Sequence, residues 1–151
     1  MLRRETFKKL ISLVFILGLG FFFLAMAPRP FEGEKASDQS VDGVFSDISF
    51  AYTSEDFISF VSLLDRDFED LGNFKDALQE EFLSKKNLEL RFVVDSVLQE
   101  KDRIFVRLHW FRKSTTSSGV ISKTKGKSQF IFRQTPQGLK LLYIRGNNPF
   151  F

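Results

Sequence analysis

Hydrophobic positions along this chain change their spacing twice, and each change marks a change of structure. Residues 10–27 form an unbroken uncharged run behind Arg3, Arg4, Lys8 and Lys9. About 18 residues at ~1.5 Å each reach roughly 27 Å as a helix, the hydrocarbon thickness of a thin bilayer. Residues 28–40 hold mostly Pro, Gly, Glu, Lys, Ser, Asp and Gln, a polar linker with little to bury. From Val41 the apolar side chains recur at three- and four-residue steps. Val41, Val44, Phe45, Ile48 and Tyr52 line one helix. Phe57, Phe60, Val61, Leu64, Phe68 and Leu71 line a second, capped by Thr53 or Ser54 and broken at Gly72-Asn73. Phe74, Ala77, Leu78 and Phe82 line a third, which ends near Lys85 and Lys86.

After Asn87 the period becomes two. Leu88, Leu90, Phe92 and Val94 alternate with Glu89, Arg91, Val93 and Asp95; Ile104, Val106, Leu108 and Trp110 alternate with Arg103, Phe105, Arg107, His109 and Phe111. Two more strands are predicted near residues 120–134 and 139–146. Turn residues at Glu100-Lys101-Asp102, Ser117-Ser118-Gly119 and Pro136-Gln137-Gly138 separate the strands, and such short links impose antiparallel pairing. The pattern predicts one α+β domain over 41–151, N-terminal helices packed on a curved four-stranded antiparallel sheet, preceded by one transmembrane helix.

The apolar run sets the expected location. Its basic flank stays in the cytoplasm and the C-terminal bulk crosses, which makes the domain extracytoplasmic. Residues 1–27 allow two readings: an uncleaved signal anchor with a single-pass topology and a periplasmic domain, or a secretory signal cut after Ala25-Met26-Ala27 that frees a soluble periplasmic or secreted domain. Pro28 favours the anchor, because a rigid imino acid fits poorly beyond a scissile bond. The chain has no Cys, so acylation of a lipoprotein Cys, disulfides and thiolate metal sites are excluded. With a single His, neither a metal site nor a cofactor is expected.

Charge then changes the picture. The formal net charge of +3 resides in the N-terminal flank, and from residue 31 onward 17 basic side chains face 18 acidic ones. A nucleic-acid-binding domain would be basic, so none is expected. The balance conceals a split: residues 31–87 hold 14 acidic and 5 basic side chains, residues 88–151 hold 4 and 12. Either the acidic helices and basic strands attract one another within one fold, or the sheet offers a basic surface to an acidic partner.

Two segments carry a family resemblance. Gly126-Lys127-Ser128-Gln129-Phe130-Ile131-Phe132-Arg133 is similar to a Gly-x-x-x-Phe-x-Phe-Arg strand, and Leu139-Lys140-Leu141-Leu142-Tyr143-Ile144-Arg145-Gly146-Asn147-Asn148-Pro149-Phe150 to a closing strand and tail. With the element order, they resemble the nuclear-transport-factor-2-like (SnoaL-like, cone-shaped α+β) superfamily over residues 41–150; Leu139 stands where many members have Trp. The resemblance implies the fold but not the activity, since this fold hosts isomerases, dehydratases, oligomerisation modules and transport factors.

Isomerase-like members need an Asp base and Tyr or Asp donors in an apolar cavity, and dehydratase-like members a His-Asp pair. Strand alternation puts the only histidine, His109, on the sheet face away from the helices, so no catalytic residue is assigned. A small-molecule cavity between helices and sheet would be lined by Tyr52, Asp56, Trp110 and Tyr143; Asp56 also reads as a first-turn helix charge. Alternation gathers Phe105, Arg107, His109, Phe111, Ile131, Arg133, Leu142 and Ile144 on the outer sheet face, apolar groups among arginines as at protein interfaces. Relatives commonly dimerise there, so the resemblance implies a homodimer, with another protein partner as the alternative. The resulting expectation is a membrane-anchored, non-enzymatic binding or assembly module. Its alternatives are a cavity enzyme of the isomerase or dehydratase type and a scaffold subunit of an envelope secretion machine.

Overall fold

The computed structural model describes residues 40–151. The apolar run at 10–27 and all of the linker except Ser40 lie outside the described residues. Among the described residues no helix is long and apolar enough to cross a membrane. Helix α1, Val41–Thr53, starts where the Ser40 side chain accepts from the Gly43 N–H at 3.1 Å. It buries Val44, Phe45, Ile48, Ala51 and Tyr52 along one face.

Helix α2, Phe57–Ser62, is shorter than the apolar stripe predicts. The chain leaves it to run beside the last strand: Leu141 N–H donates to Leu63 O at 2.9 Å and Asp65 N–H to Leu141 O at 2.8 Å. Leu64 and Phe68 are nevertheless buried, so the stripe marks core positions on a segment of turns. Helix α3, Leu71–Ser84, begins at the Gly72-Asn73 that the pattern reads as a break. Both residues sit in its first turn, where Asn73 Nδ2 donates to the Asp70 carboxylate at 2.8 Å.

Strands β1 (Lys85–Glu100), β2 (Arg103–Thr116), β3 (Ile121–Thr135) and β4 (Gly138–Gly146) form one antiparallel sheet in sequence order, the predicted meander. Three register shifts interrupt it: between Lys86 and Glu89, between Val94 and Ser96, and at Ile131/Phe132. The third decides which side chains face where. Ile131 pairs with Tyr143 but Phe132 with Leu141, so Leu142 is an extra residue and β4 side chains beyond it change faces.

The core fills the space between the helices and the inner sheet face, and phenylalanines dominate it. The Phe45 ring lies 4.9 Å from Phe92, 5.5 Å from Phe130 and 5.4 Å from Phe132. Among the described residues this core lies within the compact unit Ala36–Phe151 and joins all three helices to the sheet.

Candidate functional site

The sequence pattern points to two places for a partner: the interior between helices and sheet, and the outer sheet face. The interior is occupied by the chain itself. After β4 the tail turns inward, with Asn148 Oδ1 accepting from the Phe150 N–H at 3.0 Å. Phe150 is fully buried, its ring 4.9 Å from Phe60, 5.6 Å from Tyr52, 5.9 Å from Phe74 and 6.1 Å from Phe130. Tyr52, also fully buried, donates to the Phe150 carbonyl at 3.0 Å and lies 3.4 Å from Glu81 Oε1. Burial, and then the Glu81 carboxylate, push the Tyr52 hydroxyl well above the usual phenol range. A proton held this firmly caps a carbonyl and does not serve acid-base chemistry near neutrality.

The other residues expected to line a cavity are spent on structure as well. Trp110 is buried, and its Nε1 donates to Ser128 Oγ at 3.0 Å and to Asn147 O at 3.2 Å. Gly126 lies beneath it, where a Cβ would come within 2.5 Å of Trp110 Cζ2, which explains the glycine of the Gly-x-x-x-Phe-x-Phe-Arg strand. Asp56 is the cap of α2 in place of Thr53 or Ser54: it accepts from the Ser59 N–H at 3.0 Å, and its hydrogen bonds to Ser59 hold the carboxyl below the usual range. Tyr143, opposite Ile131, lies on the outer face instead of the inner one, and Ile144, opposite Phe130, packs against the core instead of lying outside. The Leu142 bulge causes both corrections, and nothing in the alternation of β4 announces it.

A buried ion pair escaped the sequence reading. Arg112 lies two residues beyond Trp110, so its side chain points inward, and Glu81 sits beside Phe82 on the buried face of α3. Arg112 Nη1 comes to 3.5 Å from Glu81 Oε1, with the two side chains 14% and 7% exposed. The signal was present: a charged residue in phase with Leu108 and Trp110 must be buried, and a buried charge needs a counter-charge. Among the described residues no group of three or more Asp, Glu or His converges as a metal ion requires.

On the outer face, cross-strand register lines up Arg91 with Phe111, Val93 with His109, and Leu98 with Phe105. His109 Nδ1 lies 2.7 Å from Asp95 Oδ1, on the face where the alternation of β1 puts that acid. Arg133 is bound by the connection between α2 and α3: its Nη1 donates to Asp65 at 2.9 Å and Asp67 at 2.8 Å. Ile131 and Leu142 are buried, and Phe105 is half-buried, so of the apolar outer residues expected at an interface Phe111 is the most open, at 49%. Val93 and Leu98 join it, both exposed. A shallow groove of about 780 Å³ crosses this region, lined among others by Arg91, Val93, Phe111, Lys113 and Lys123.

The Arg133 hydrogen bond lowers the Asp67 carboxyl pKa. A carboxylate whose folded pKa is depressed stabilises the fold above its unfolded value of about 4, and that contribution is lost as pH falls through the folded value. Arg133→Gln is expected to return the Asp67 titration toward the ordinary carboxylate range. Carbon-detected NMR would read it, and an unmoved titration would show that Arg133 does not hold Asp67 in solution.

The arrangement of three helices against an open four-stranded meander recurs in solved structures. A conserved protein from Planctomyces limnophilus shares 18% identity at a TM-score of 0.61, over 71% of this chain and 94% of its own. A nuclear transport factor 2-like superfamily protein from Salmonella enterica shares 10% at 0.57, over 70% and 86%. A ketosteroid isomerase-like protein from Erwinia carotovora atroseptica shares 14% at 0.58, over 72% and 95%. The domain has the nuclear-transport-factor-2-like fold. No family model and no curated protein matches the sequence. Within this nuclear-transport-factor-2-like fold, the Asn147–Phe150 tail packs into the interior, and the outer face keeps Val93, Leu98 and Phe111 exposed.

Proposed function

We propose that this chain is a non-enzymatic binding module, held on the outer side of a cytoplasmic membrane by residues 10–27, whose working surface is the outer face of its sheet. The filled interior carries this reading. An enzyme of the isomerase or dehydratase type must enclose its substrate beside a poised base, whereas here Phe60, Phe130, Phe132 and Phe150 are fully buried against one another and Tyr52 is committed to a carbonyl.

The outer face favours an anionic partner over a second copy. Two-fold packing of this face on itself would set exposed Arg91, Arg107, Lys123 and Lys125 against the same rows of the partner. The loss of Ile131, Leu142 and Ile144 from the open surface also removes the apolar centre that a dimer needs.

Titration of residues 36–151 with apolar, steroid-sized ligands is expected to leave the NMR signals of Leu78, Val106, Leu108 and Phe130 unmoved. Saturable shifts at those core positions would transfer the function to the interior.

A further inference from the structure

The hairpin of β2 and β3 is the most one-sided part of the molecule. Arg103–Thr135 contains eight Lys or Arg residues and no Asp or Glu. Register sets like charges directly opposite one another, Lys113 against Lys123 and Arg103 against Arg133. Such pairs lie about 5 Å apart at Cβ and destabilise a sheet. Acids from elsewhere relieve part of this, since Glu89 reaches Lys113 at 2.6 Å and Asp65 and Asp67 hold Arg133. Lys123, Lys125 and Lys127 project from one strand on the same outer face, exposed, and form no ion pair among the described residues.

Directly after its polar Ser117-Ser118-Gly119 turn, this hairpin exposes an apolar pair. Val120 is 61% exposed and Ile121 59%. The tip is built, not frayed: Thr116 N–H donates to Val120 O at 2.9 Å, Gly119 N–H to Thr116 O at 2.9 Å, and Val120 N–H to Thr116 Oγ1 at 3.1 Å. Gly119 supplies the positive φ of 84° that the turn requires. The hairpin therefore holds two exposed aliphatic side chains beside its turn, with lysines behind them.

We propose that the β2–β3 hairpin docks on an anionic lipid surface, Val120 and Ile121 entering the headgroup boundary while Lys123, Lys125 and Lys127 meet lipid phosphates. This rests on the reading of the outer face as the working surface and names its partner. Interfacial binding combines buried apolar area with attraction to anionic lipid, and both are present on one element. An acidic protein fits less well. The hairpin end that carries the aliphatic pair is narrow, and a fluid interface, unlike a folded partner, needs no matching shape to take it in.

The chain has no Cys, so Ser117→Cys places one environment-sensitive dye beside the tip. Residues 36–151, which hold the whole core, are expected to co-sediment with vesicles of equimolar phosphatidylglycerol and phosphatidylcholine but not of phosphatidylcholine alone, with a blue shift of the dye. Lys123→Gln/Lys125→Gln is expected to weaken binding about 25-fold, from the roughly fivefold that each Lys contributes near an anionic surface. Val120→Ser/Ile121→Ser is expected to abolish the blue shift. Absent or composition-independent vesicle binding would overturn the proposal, as would unchanged binding by either variant. Capture of polyglutamate without vesicle binding would assign the face to an acidic protein, ending the lipid proposal while the binding-module reading stands.

Discussion

Replacing Phe150 with Ala is expected to destabilise the domain by about 3–5 kcal/mol, the range for removing a fully buried aromatic ring without full collapse of the space. The residue lies beyond β4, outside any helix or strand. Here its ring touches Tyr52, Phe60, Phe74 and Phe130, and its carbonyl takes the Tyr52 proton. The tail also satisfies the opposite side of the core, because Asn147 O accepts from both Trp110 Nε1 and Ser128 Oγ. Urea unfolding of residues 36–151, read by linear extrapolation, measures the loss. Phe150→Leu is expected to cost about 1.5 kcal/mol or less, since it keeps most of the volume. A loss below about 1 kcal/mol for the Ala variant would mean that the tail is not docked in solution.

The second large effect is expected at the buried ion pair. Arg112→Met removes the counter-charge of a carboxylate that is 7% exposed and is expected to cost about 3–5 kcal/mol. Glu81→Leu combined with Arg112→Met is expected to recover most of that loss, because the desolvated charge has gone and apolar groups fill the volume. The double-mutant cycle in urea separates this from simple loss of packing. If the double variant is as unstable as Arg112→Met, the arginine acts through its contacts with β1 and not through Glu81. Tyr52 links the two predictions, since its hydroxyl lies between Phe150 O and Glu81 Oε1.

Much of the fold was legible because periodicity is a direct image of burial. Ile104, Val106, Leu108 and Trp110 alternate in the sequence and are all buried on the helix side. The turns at 100–102, 117–119 and 136–138 carry residues that tolerate turn geometry, and antiparallel order followed from their shortness. The errors arose where a long-range contact outweighed local preference. The second helix stops at Ser62 because residues 63–65 find backbone partners on β4, more than 70 residues away in sequence. Gly72-Asn73 starts a helix instead of ending one because Asp70, at φ 55°, accepts the Asn73 amide and turns the chain into α3.

The candidate surface was legible in charge and misassigned in detail. Its basic character is visible in the counts for residues 88–151, and the split between acidic helices and basic strands invited the idea that the two layers attract each other. Register shows otherwise for most of it. Arg91, Arg107, Lys123, Lys125 and Lys127 point away from the helices, while Arg112 on the inner face and Arg133 near the end of β3 meet acids of the helical half.

By itself the sequence determined the α+β class, the helix-then-meander order, the inward face of β2 and the uneven distribution of charge, because each depends on local period, turn chemistry or simple counting. Only the tertiary structure decided that Tyr143 lies outside and Ile144 inside, that Phe150 closes the interior, and that Arg112 meets Glu81. Those depend on a one-residue bulge and on contacts between distant segments, and neither leaves a periodic trace in the chain.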